Sequence, residues 1–162
     1  MDNLAFAPAT FNFSVPVIAA GTTSTLSSTN AVNYAIKGKA YTKAALSNVA
    51  TPTLDVNTGL AFTAIPAGYG SVFLIGLTAA GALVVAQGGL QALDVSGNFI
   101  VAPQFPQLPD SAVAIAYEVI KAGATASSAP GFVFGVSNQS AVTGITYSFQ
   151  DIVTPLSRPV VV

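Results

Sequence analysis

Apolar side chains in this chain come in short runs, many with a period of two, and most runs end at Gly, Pro or a Ser/Thr/Asn cluster. That pattern predicts strands joined by turns. Ala112–Ala122, AVAIAYEVIKA, puts Val113, Ile115, Tyr117 and Val119 on one face and Glu118 on the other. Val72–Gln87 reads as a hairpin: VFLIGL and ALVVAQ are its strands, Thr78-Ala79-Ala80-Gly81 its turn, and Gly81 supplies a positive φ. Asn33–Thr42 alternates Tyr34, Ile36 and Ala40 against Lys37, Lys39 and Tyr41 as one strand, and Thr42–Asn48 fits one or two helical turns. Leu60–Ile65, Phe99–Ala102, Phe132–Val136, Ile145–Phe149 and Pro159–Val162 bring the total to about eight or nine short strands. Pro103, Pro106 and Pro109 space out an extended loop. The expected fold is all-β, a single-domain β-sandwich or jelly-roll-like unit over residues 32–162.

Residues 1–31 read as an extended N-terminal arm. Leu4, Phe6, Phe11, Phe13, Val15 and Val17 fall in short apolar pieces broken by Pro8 and Pro16, and the polar run GTTSTLSSTN follows. Phe11, Phe13, Val15 and Val17 alternate as an edge strand would, with Pro16 confining it to an edge. The expectation is that this arm binds partners more than it stabilises the domain.

Charge is unusually sparse. The 162 residues carry five Lys or Arg and six Asp or Glu, 7% against about 25% for an ordinary soluble domain. A monomer of this mass exposes roughly 7,500 Å², so each charge serves about 700 Å². Such a surface suits a protein largely covered by neighbours. The mean hydropathy of +0.66 raises the question of a membrane span. Val72–Ala86 falls short of the ~20 apolar residues a spanning helix needs, and Gly76 and Gly81 interrupt it. The N-terminal stretch lacks a basic leader region, which argues against a secretory signal. A net charge of −1 argues against nucleic acid. Lys37 and Lys39, read at i and i+2, share a strand face that is either solvated or set against an acidic protein surface.

Catalytic chemistry is poorly provided for. There is no His and no Cys, which removes the usual general base and any thiolate metal site. The carboxylates are scattered, and Asp55, Asp94, Asp110 and Asp151 sit at turn or strand-end positions where Asp bonds its own backbone. Asp94–Asn98, DVSGN, lacks the further carboxylates of a calcium loop and reads as a turn. Glu118 is placed on a solvent face or in a subunit contact. The expectation is no enzyme, no metal and no cofactor. Tyr69, Tyr117 and Tyr147 are the weak candidates for a carbohydrate- or receptor-binding face.

From Lys37 onward the order of elements is IKGKAYTKAA, then a strand-turn-strand ending at Gln87-Gly88, then Leu108-Pro109-Asp110, then the Ala-rich strand Ile115–Ala122. This order resembles small virion structural proteins of tailed bacteriophages, of the head-decoration or cement type. The resemblance implies a β-sandwich or jelly-roll protein on the outer surface of a capsid. It implies the major capsid protein and further copies of the chain, as a dimer or trimer, as partners. A tail, baseplate or head-fibre component is the alternative within the same class.

Overall fold

The computed structural model describes residues 9–126, 131–139 and 141–153. Among these the chain is all-β, with eleven strands and no helix. The strands are β1 (Phe11–Asn12), β2 (Ile18–Ala20), β3 (Thr25–Ser28), β4 (Val32–Ile36), β5 (Lys39–Lys43), β6 (Val49–Ala50), β7 (Tyr69–Thr78), β8 (Leu83–Gln87), β9 (Gln91–Ala92), β10 (Ala112–Ala122) and β11 (Ile145–Asp151). They form three antiparallel sheets, β11-β10-β7-β8 with β9 also on β7, β1-β4-β5, and β2-β3-β6.

The hairpin and the long strand form where the pattern puts them. The β7–β8 turn closes through Thr78 and Ala82, with Gly81 at φ 71°. β7 and β10 are central strands buried on both faces, which explains their near-continuous apolar composition. On the inner face Phe73, Ile75 and Leu77 of β7 meet Val113, Ile115 and Ile120 of β10, together with Val32, Tyr34 and Ile36 of β4. Phe62, Phe73 and Phe134 form an aromatic knot, with Phe73 and Phe134 stacked at 4.5 Å between centroids. On the outer face Val72, Leu74, Tyr117 and Val119 are covered by Phe99 and by Phe105 and Leu108 of the Pro-spaced segment. Two glycines of β7 admit that cover. A Cβ on Gly70 would lie 2.7 Å from the Phe99 ring, and one on Gly76 would lie 2.6 Å from Leu108 Cδ1.

Several expectations are corrected. The run Asn33–Thr42 is a hairpin, because Lys37 and Gly38 both take positive φ (50° and 77°), the requirement of a two-residue type I′ turn. Residues 44–48, after β5, form no helix. Leu60–Ile65, Phe99 and Phe132–Val136 supply isolated bridges rather than ladders. The face predicted for β10 is split by a bulge between Ala114 and Ala116. Val113 and Ile115 join the inner core, whereas Tyr117 and Val119 join the outer one, since one extra residue moves every later side chain to the opposite face. The described part of the arm is tied down: Ile18 and Leu26 are core residues, and β3 pairs with β6. The Ser/Thr run around Leu26 serves as strand rather than linker because its hydroxyls meet backbone partners, such as Ser28 Oγ with the amide of Leu46. Pro159–Val162 lies outside the described residues.

Candidate interaction surface

Residues 11–18 invert the usual alternation of an edge strand. Phe11, Phe13, Val15 and Val17 are 43%, 48%, 51% and 45% exposed, while Asn12, Pro16 and Ile18 between them are buried. The inversion has a local cause. The Asn12 side chain is consumed inward: its Nδ2 donates to the carbonyls of Ser14 and Ile152, both at 2.8 Å, and its Oδ1 accepts from the Ser14 amide at 3.1 Å. Ser14 Oγ in turn accepts the Asn33 amide at 2.8 Å. A polar group satisfied this fully is stable inside, and a period of two then forces its apolar neighbours outward.

The far end of the stripe is held by strain and by charge. Val17 has φ 54°, a conformation that a β-branched residue avoids. The Asp151 carboxylate accepts the amides of Val17 and Ile18 at 3.0 and 3.1 Å. The carbonyls of Val15, Pro16 and Val17 accept from Asn30 Nδ2, the Asn30 amide and the Thr29 amide. The four apolar side chains therefore project from a pinned backbone, and the rings of Phe11 and Phe13 touch at 5.5 Å between centroids. Among the described residues β1 is an edge strand, paired only with β4.

Lys37 and Lys39 do not share a strand face. Lys37 is in the β4–β5 turn and Lys39 follows on β5, where its Nζ stands 5.6 Å from the centre of the Tyr41 ring. The turn nevertheless meets the start of the stripe: the Lys37 amide donates to Thr10 Oγ1 and the Gly38 amide to the Ala9 carbonyl. Lys37 also lines an open cleft of about 370 Å³ with Thr10, Leu108, Pro109, Asp110 and Ala112. Leu4 and Phe6 lie outside the described residues.

Asp55 and Asp94 have structural work. Asp55 Oδ1 accepts the amides of Asn57 and Thr58, and its Oδ2 accepts the Gln87 amide at 2.7 Å, tying the 54–61 loop to β8. Asp94 Oδ1 accepts the amides of Ser96 and Asn98, and these bonds, the Asn98 amide foremost, hold its carboxyl below the ordinary range. Among the described residues no three His, Cys, Asp or Glu side chains cluster as metal ligands.

Glu118 is on neither a solvent face nor an exposed contact. After the bulge it points into the inner core, fully buried, with Phe73 and Phe149 as its register partners. Its companion is Gln139, whose Nε2 donates to Glu118 Oε1 at 2.6 Å. Sequence reasoning missed this pair. The one available signal was a lone Glu within an eleven-residue strand that is otherwise apolar save for Lys121. Tyr117 is buried against Phe105 and cannot stack on a ligand, which leaves Tyr69 and Tyr147 as the exposed tyrosines of the three. No helix among the described residues is long and apolar enough to cross a membrane. Set against known protein families, curated proteins and solved structures, the chain matches none.

Proposed function

We propose that this protein is a non-enzymatic virion structural protein, a capsid decoration or cement protein that braces neighbouring major capsid subunits on the outer surface of the shell. The inverted stripe Phe11, Phe13, Val15 and Val17 carries this reading. Four large apolar side chains held outward by satisfied hydrogen bonds form a surface suited to coverage by another protein. The sparse charge agrees, since few ions have to be desolvated when such a surface is covered. The partner class comes from the resemblance of the Lys37-to-C-terminus order of elements to head-decoration proteins.

The mechanism is interface burial. Complete burial of a large apolar side chain contributes roughly 1.5–3 kcal/mol, and these four are about half covered already, so each adds about 1 kcal/mol when a neighbour closes over it. That is modest for one contact. Repetition around a shell, with copies of the chain joined as a dimer or trimer, converts it into firm attachment. Lys37 and Lys39, beside the start of the stripe, add a cationic rim that steers an acidic neighbour.

The test is co-sedimentation with undecorated phage heads, together with the copy number in purified virions. Full-length protein is expected to pellet with heads and to be present in hundreds of copies, on the order of a shell lattice. The variant F11S/F13S is expected to stay in the supernatant while remaining folded. Unchanged pelleting of that variant, or about a dozen copies per virion, would overturn the decoration reading.

A further inference from the structure

Glu118 and Gln139 leave two oxygens without a hydrogen-bond partner, Glu118 Oε2 and Gln139 Oε1, and both are buried. They belong to two side chains already joined through Gln139 Nε2 and Glu118 Oε1. As an ionised carboxylate, Glu118 would face the amide with two acceptors and find one donor. As a neutral acid, its second oxygen becomes a donor, and the amide oxygen opposite is an acceptor in need of one. One proton satisfies both orphan atoms at once.

We propose that Glu118 is carried as the neutral acid in a two-bond ring with Gln139, and that this ring is a proton-dependent latch fastening the 131–139 segment to β10. That segment is tied to the rest of the fold at its start. It bridges Ile65 through Phe132 and inserts Phe134 into the aromatic knot. Its 133–137 turn is closed by internal bonds: the Val133 amide donates to Ser137 Oγ, and the Val136 and Ser137 amides donate to the Val133 carbonyl. Phe134 stacks on Phe73 of β7, and Gln139 reaches β10 through its bond to Glu118.

Among the described residues no cation stands beside Glu118. Residues 123–144 contain no Asp, Glu, Lys or Arg, and neither do β1, β4, β7 and β8. The titratable groups on the elements packed against it all face elsewhere. Tyr34 of β4 donates to the Thr78 carbonyl, and Tyr69 of β7 and Tyr147 of β11 are exposed. Asp151 of β11 holds the Val17 and Ile18 amides. On β10 itself, Tyr117 lies in the outer cluster, and Lys121 stands over the Phe99 ring at 5.4 Å on that same side. Burial accordingly pushes the Glu118 carboxyl well above its ordinary range, with the Gln139 bond opposing in part. The sign of the linkage follows. A folded-state value raised above the unfolded one means that the native state holds the extra proton. The latch contributes fully below the unfolded value near 4.5 and weakens as pH rises toward the folded value.

The experiment compares wild type with E118Q, which replaces the acid by an uncharged donor-acceptor that can pair with Gln139 at any pH. Hydrogen exchange of the 131–139 amides, corrected for intrinsic rates, is followed from pH 5 to pH 9. In wild type the opening constant is expected to rise by up to tenfold per pH unit, and in E118Q it should stay level. Other titrating groups are common to both proteins and cancel. Parallel pH profiles would overturn the latch. Should E118Q fold poorly, carbon-13 spectra of glutamate-labelled wild type decide the matter. The expected result is a carboxyl titration displaced upward from that of a solvent-exposed glutamate, and titration in the ordinary glutamate range would overturn the proposal.

Discussion

The carboxylate of Asp151 receives the amide hydrogens of Val17 and Ile18, at 3.0 and 3.1 Å across more than 130 residues of chain. It holds Val17 at a positive φ that costs a β-branched residue about 1–2 kcal/mol. One residue on, the Ile152 carbonyl takes a hydrogen from Asn12, and the Ile152 amide donates to Ile115, the residue at the β10 bulge. The first strand, the end of the last described strand and the central sheet are thereby joined at one place.

Asp151→Ala is expected to lower stability by about 1–3 kcal/mol, because two amides lose a charged acceptor while Val17 keeps its strain. Val17→Gly should act in the opposite direction by up to ~1 kcal/mol, through relief of the positive-φ penalty. Urea denaturation of both variants checks this. Destabilisation by Val17→Gly would show that the Val17 side chain, rather than the backbone turn, is what the site needs.

Residues within the first thirty divide into two kinds. Leu26→Ala removes a fully buried side chain and should cost about 2–5 kcal/mol. Phe13→Ser removes a half-exposed one and should change stability by less than ~0.5 kcal/mol while reducing association with partners. Thermal unfolding paired with sedimentation reads both. Deletion of all of residues 1–31 is expected to abolish cooperative unfolding, since Ile18, Leu26 and Val32 pack in one cluster.

Gly76 is a contact point for the outer cover. Gly76→Ala places a Cβ against Leu108 Cδ1 at 2.6 Å and the Val113 carbonyl at 2.7 Å. Lifting the 103–109 segment relieves only the first contact, so a loss of about 1–3 kcal/mol is expected. The same variant should make that segment more open to limited proteolysis. Gly97→Ala, with nothing within 4 Å of its Cβ but φ 79°, should suffer only the backbone penalty of about 1 kcal/mol.

The Gln87 side chain pairs with the backbone of Thr63 through both its atoms, Oε1 accepting at 2.7 Å and Nε2 donating at 2.9 Å. It stands in for a strand where Leu60–Ile65 forms no ladder. Gln87→Leu is expected to cost about 1–3 kcal/mol by leaving the Thr63 amide and carbonyl unpaired. Circular dichroism melts of Gln87→Leu and Gln87→Glu separate loss of both bonds from loss of one. Equal melting of Gln87→Leu and wild type would mean that water replaces the amide there.

The all-β class, the hairpin around Gly81 and the span of β10 were legible in the sequence, because each rests on interactions between near neighbours: a period of two, a Gly at a positive φ, a run of β-branched residues. The turn at Lys37-Gly38 was also local, but counting the alternation straight through it joined two strands into one. The direction of Glu118 had no local signal. It depends on a bulge between Ala114 and Ala116, set by pairing with β7, and on Gln139, which is 21 residues beyond Glu118. The outward stripe is a similar case. The spacing of Phe11, Phe13, Val15 and Val17 marked an alternating face, but Asn12 and Asp151 decide which way it turns by drawing the backbone inward from the far end of the chain. Periodicity is a property of the strand itself, so sequence alone determined it. Which face is inside is a property of what packs against the strand, so only the tertiary structure decided it.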